Sequence, residues 1–142
     1  MQLLVRVVAF FCSEGCQIVG HFDLVTKFNE GGKLFDESDP RYVKAALEAL
    51  ETAMTRDVIF EVNTGAISRN WRTVPYPSSF LLKAIRERGG RVCITSDSHH
   101  KDTITRAFPQ AAELAVSCGF REVWVLTKNG FQPVGLENYL NP

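Results

Sequence analysis

Apolar positions along the chain fall into two rhythms that alternate with short polar punctuation. Residues 2–14 are dominated by the apolar run Leu3–Phe11 and fit either a buried helix or a strand, with Gly15 as a helix stop. Residues 17–21 hold a short apolar run, Ile18-Val19, that ends in Gly20-His21-Phe22-Asp23, and a polar loop with Gly31-Gly32 follows. From Pro40 to Arg56 the period becomes helical. Asp39 suits the N-cap, Pro40 the first helical position, and Val43, Leu47, Leu50 and Met54 form one apolar stripe. Val58–Val62 is β-branched and aromatic without alternation, which predicts a strand buried on both faces. Residues 64–76 are polar and aromatic and predict a loop. A second helix is predicted over Pro77–Arg88, with Phe80, Leu81 and Ile85 inward and Gly89-Gly90 as its stop. Arg91–Thr95 is the next strand, followed by Ser96-Asp97-Ser98-His99-His100. Then come a helix over Pro109–Cys118 before Gly119, a fourth strand over Val123–Leu126, and a tail from Gly130 expected as loop with a last helical turn.

Strand and helix in this alternation imply an α/β fold with about four parallel strands and crossover helices. No mononucleotide-type glycine fingerprint is present, so two architectures remain: an open α/β sheet, or part of a (β/α) barrel. At 142 residues and 45% apolar composition the chain is expected to be a single domain, 1–142, with a real core. Lys and Arg together number 16, as do Asp and Glu, so no broad field draws the chain to nucleic acid or anionic lipid. Leu3–Phe11 contains Arg6 and is too short to span a bilayer. Cys12, Cys16, Cys93 and Cys118 show no CxxC or zinc-ribbon spacing and are expected to be small buried or free thiols in a reducing cytoplasm.

Polar groups capable of chemistry collect after the strands. His21 follows the first clear one, Glu61 and Asn63 end the second, and Asp97 and His99 follow the third. In parallel α/β folds those strand ends converge on one face, which carries the site. A carboxylate and an imidazole two apart in an extended segment suit two neighbouring metal ions, one taking each side chain, with His21 as a third ligand; Zn, Mn or Fe is favoured over Ca or Mg. The competing reading of Asp97-Ser98-His99 is a helix-capping loop. Glu61, a carboxylate on a hydrophobic strand, must find a partner and is expected to orient a neighbour, with a salt bridge or direct ligation as alternatives. His100 is expected to face solvent. Arg69, Arg72 and Arg106 stand on the loops beyond and are candidates for a substrate phosphate, the alternative being plain surface charge. Trp71 and Tyr76 are candidates to line a cleft or to cover the core.

Taken in order, Gly20-His21-Phe22-Asp23, Phe60-Glu61-Val62-Asn63-Thr64, Tyr76-Pro77-Ser78 and Thr95-Ser96-Asp97-Ser98-His99 resemble the later motifs of the PHP (polymerase and histidinol phosphatase) superfamily. The match is to its histidinol-phosphatase branch, with Gly119-Phe120 as the closing strand start. The resemblance spans about residues 17–135. It implies a distorted (β/α) barrel of seven strands with a cluster of two or three divalent metals (Zn, Mn or Fe) at its C-terminal face, and His21, Asp97 and His99 as metal ligands. It also implies hydrolysis of L-histidinol phosphate to histidinol and phosphate by metal-activated water, in cytoplasmic histidine biosynthesis. Glu61 and Asn63 would support the ligands, and Arg69 and Arg106 are the nearest phosphate-holding candidates. Family members begin with a His-x-His strand and further ligands in their first half, which this sequence lacks; residues 1–16 fit poorly. The chain therefore resembles the C-terminal half of such a barrel, with an incomplete metal set, expected to associate with itself or with a complementary N-terminal half. A non-catalytic remnant and a different PHP phosphoesterase are the competing functions.

Overall fold

The computed structural model describes residues 15–140. The predicted apolar element at 2–14, and Cys12 with it, lies outside them. Strand β1 (Ile18–Val19) is followed by helix α1 (Pro40–Met54), strand β2 (Ile59–Asn63), the short helix α2 (Gly65–Ser68) and helix α3 (Ser79–Glu87). Strand β3 (Arg91–Thr95), helix α4 (Phe108–Ser117), strands β4 (Glu122–Thr127) and β5 (Gly130–Gly135), and a final turn α5 (Glu137–Leu140) complete the order.

Three strands form a parallel sheet in the order β1-β2-β3, with Ile18 opposite Ile59, and Ile59 and Asn63 opposite Arg91 and Thr95. All five residues of the central strand β2 are buried, as its unalternating apolar run requires. Asp39 caps α1 by accepting from the Arg41 N–H at 2.8 Å, and Pro40 opens the helix. Ala46, Ala49, Leu50 and Ala53 of α1 join Leu81, Leu82 and Ile85 of α3, Phe60, Val62 and Val92 of the sheet, and Ala111 and Ala115 of α4 in one core. Small residues dominate the inner faces of α1 and α4, which lets these helices lie close to their neighbours.

Three predicted elements are corrected. The fourth strand is not parallel: β4 pairs antiparallel with β5, Val123 opposite Val134 and Thr127 opposite Gly130. The region expected as loop after Gly130 is thus the second arm of a hairpin. Lys128-Asn129 makes its turn, and Gly130 takes the left-handed backbone (φ 86°) that follows it. Pro133 is tolerated there because a strand with an unpaired edge has no use for every N–H. The predicted 64–76 loop also begins with a helical turn, α2. Among the described residues the sheet is open rather than closed into a barrel, and no helix is long and apolar enough to cross a membrane.

Candidate active site

Each parallel strand delivers a side chain to one end of the sheet. His21 lies two residues past β1, Asn63 ends β2, and Asp97 lies two past β3. They meet in a cavity of about 350 Å³ whose walls also include Arg69, His99 and Tyr76. His21 (φ 50°) and Asp97 (φ 45°) both adopt left-handed backbone, a region that Asp and His tolerate better than most residues and that costs on the order of 1–3 kcal/mol. The turns that end β1 and β3 are thereby bent so that both side chains aim inward.

Glu61 anchors the first of them. Its Oε2 accepts the His21 backbone N–H at 2.9 Å and lies 3.3 Å from Nδ1 of the same residue, while its Oε1 accepts the Thr95 hydroxyl at 2.6 Å. With Nδ1–H turned to Glu61, the His21 Nε2 lone pair faces Asp97 Oδ2 at 3.5 Å and the Asn63 amide at 3.4 Å. The Asn63 Oδ1 in turn accepts the Gly65 N–H at 2.8 Å. An imidazole lone pair and a carboxylate oxygen facing one another do not bond without a cation or proton between them. Asn63 is fully buried and Glu61 nearly so, hence these orientations are fixed by packing.

Asp97 and His99 share a guanidinium. Arg69 Nη2 donates to Asp97 Oδ2 at 3.0 Å and to the Asp97 carbonyl at 3.0 Å, and it lies 2.7 Å from His99 Nδ1, which is also 2.9 Å from that carbonyl. Burial alone would raise the Asp97 carboxyl. The Arg69 hydrogen bond and charge hold it below its ordinary value. His21, Asp97 and His99 together with Arg69 are thus brought to one place, although among the described residues no group of three His, Cys, Asp or Glu side chains is arranged to hold a metal ion. The chemistry of the donors fits a divalent cation at His21 and Asp97. At His99 the guanidinium stands where a cation would.

The remaining candidates separate. Arg106 is exposed, and its side chain is not part of the cavity wall; its carbonyl accepts the Thr64 hydroxyl at 2.8 Å. Arg72 is corrected outright. It is buried, donates to the Thr26 carbonyl at 2.7 Å and covers the Tyr76 ring, so it is a core cation closed to substrate. Nearby Asp23, also buried, accepts the Ser78 N–H at 2.7 Å, and its carboxyl is raised by burial. His100 faces solvent beside Asp102, as expected. Trp71 lines the cavity mouth, and Tyr76 does both of its candidate jobs, since it is buried and forms part of the wall. Cys93 and Cys118 are buried and Cys16 half-buried, all unpaired thiols.

Sequence reasoning passed over Gly65, Thr95, Leu24 and Lys27. Gly65 lies under the site: a Cβ there would sit 2.9 Å from Arg69 Nη1 and 3.0 Å from both Asn63 Oδ1 and Asp97 Cβ. The Asn63-Thr64-Gly65 run at a strand end was the available signal. Lys27 and Leu24 reach the cavity from a turn that had no motif to mark it.

No family model matches the chain. It is 27% identical over 112 residues to a protein of Schizosaccharomyces pombe named probable histidinol-phosphatase, covering 78% of this chain and 36% of that protein. It is 28% identical over 116 residues to a Clostridium acetobutylicum protein of the same name, covering 80% of this chain and 44% of that protein. The chain thus spans less than half the length of these curated relatives. The class that fold and comparisons define is an α/β protein with a three-stranded parallel sheet, similar in sequence to proteins named as phosphatases.

Proposed function

We propose that this chain forms the metal- and phosphate-binding half of a PHP-type phosphomonoesterase that hydrolyses L-histidinol phosphate to histidinol and phosphate, in the cytoplasm. The observation that carries the reading is the meeting of His21, Asp97, His99 and Arg69 in one cavity at the ends of three parallel strands. The names of the two relatives supply the substrate. His21 and Asp97 would hold a divalent cation, Zn, Mn or Fe, and His99 would join them only once Arg69 turned from its Nδ1 onto phosphate. Such a cation lowers the pKa of a water and neutralises charge on phosphoryl oxygens. Glu61 keeps the His21 ring turned so that Nε2, not Nδ1, is offered to the site. Asn63 borders that nitrogen and holds Gly65. Arg69, which lines the cavity, supplies a guanidinium for the phosphoryl oxygens. Further ligands come from a complementary N-terminal half.

A second reading has its own observation. Arg69 already neutralises Asp97 and occupies the place beside His99 Nδ1, as it would in a non-catalytic module that retains the framework without the metal. Titration of the purified chain with Zn²⁺, Mn²⁺ and Fe²⁺ separates the two. The enzyme reading expects at least one tightly bound equivalent, weakened tenfold or more in Asp97→Ala and His99→Ala. Turnover of L-histidinol phosphate over generic phosphate esters, on addition of an N-terminal half from a relative, would then rank substrates and distinguish another PHP phosphoesterase. Absence of metal binding in the native chain leaves the non-catalytic reading standing.

A further inference from the structure

Lys27 stands at the mouth of the cavity in an arrangement that the metal reading does not use. Its Nζ lies 4.0 Å from the centroid of the Trp71 ring and 5.2 Å from that of Phe28. The two rings meet edge to face at 5.9 Å, so each is propped by the other. The Arg69 guanidinium carbon lies 5.2 Å from the same Trp71 centroid. One indole therefore carries two cations, both of which line the cavity.

That arrangement has an electrostatic imbalance. A cation over an exposed aromatic face gains only about 0.5–1 kcal/mol, and two like charges beside one ring repel each other. Arg69 is compensated by Asp97 at 3.0 Å. Among the described residues, the Lys27 ammonium has no carboxylate within ion-pair distance and makes no hydrogen bond, although its backbone N–H donates to the Leu24 carbonyl. A surface lysine with nothing to do would swing into water. This one lies against two rings, one of which also carries Arg69. An anion between the two would relieve the repulsion and use both donors.

We propose that Lys27 is a phosphoryl-binding residue of this cavity and that Trp71, which both cations contact, is a positioning residue that keeps Lys27 and Arg69 at the cavity wall for a dianionic phosphomonoester. The proposal rests on reading the cavity as a phosphate-ester site, but it needs neither bound metal nor turnover. Lysine suits this place because its compact ammonium pairs with a phosphate oxygen as a point charge, while the planar guanidinium of Arg69 remains fixed by Asp97.

The test is calorimetric titration of the intact chain with inorganic phosphate and with phenyl phosphate, in the presence of a chelator. Thermal melts of every variant confirm folding. Native protein should bind both anions. Lys27→Met should weaken binding about tenfold, whereas Lys27→Arg, which keeps the charge, should stay within about threefold. Trp71→Leu should weaken it as Lys27→Met does, and Trp71→Phe, which keeps an aromatic face, should restore most of the loss. Lys27→Met should leave the Zn²⁺ titration unchanged, so a failure of metal binding strikes the phosphatase reading and not the role of Lys27. No anion binding by the native chain, binding indifferent to Lys27→Met, or equal losses in Lys27→Met and Lys27→Arg would overturn the proposal.

Discussion

At the scale of single residues, the site is held by groups whose freedom has been removed. Glu61 is fixed by Thr95 and by the His21 backbone, and Gly20 makes room for it, since a Cβ there would sit 3.0 Å from Glu61 Oε2. Gly65 does the same for Arg69 and Asp97. Gly65→Ala should accordingly weaken metal and phosphate binding tenfold or more, with a much smaller shift in thermal midpoint; calorimetry beside a thermal melt checks it. Cys93 provides a pH signature. Burial, aided by Glu61, pushes its thiol from 9.0 up to about 12. The folded state thus favours the protonated thiol, and the stability this represents is full below pH 9 and is lost as the pH rises from 9 toward 12. Cys93→Ala should cost about 1 kcal/mol at pH 7, and denaturant titrations should show that gap narrowing above pH 9. These roles were only partly legible. Histidine, aspartate and glutamate at strand ends announce themselves, but the burial of Arg72 could not be read from a segment rich in polar and aromatic residues.

Among elements, α1 and the hairpin show where local pattern suffices and where it fails. Asp39, Pro40 and the apolar stripe marked α1 because capping and the 3.6-residue period are local properties. The Arg41 side chain and backbone hold the Asp39 carboxyl down to about 2. Its capping stabilisation is therefore present above the ordinary carboxylate value and lost as the pH falls through about 2. Asp39→Ala should melt at lower temperature than the native chain at neutral pH, with the difference vanishing in strong acid. Leu50, on the same helix, has no exposed surface, and Leu50→Ala should cost about 3 kcal/mol in chemical denaturation. The β4–β5 hairpin was missed for a physical reason: Asn129-Gly130 signals a tight turn, but Pro133 argues against a strand unless the strand is known to lie at an edge.

At the scale of the whole molecule, the edges of the sheet among the described residues bear on association. Among the described residues β1 is bonded to a strand on one side only, and Ile18 on it is exposed, as are Leu24, Val25, Phe28 and Leu34 in the segment that follows. A free parallel edge beside exposed apolar side chains favours association. Light scattering coupled to size exclusion should therefore find species larger than a 15.9 kDa monomer; a monodisperse monomer would sink that expectation. The amino-acid order alone determined the alternation of strands and helices, the caps of α1, and the placing of His21, Asn63 and Asp97 just past successive strands, because these follow from short-range periodicity and from the geometry of parallel sheets. Only the tertiary structure decided that Arg69 rests on Asp97 and His99, that Arg72 is sealed inside, that Lys27 meets Trp71, and that β4 folds back on β5. The first three join side chains 28 to 46 positions apart, and such pairings are chosen by packing and by the need to pair buried charge, not by local propensity.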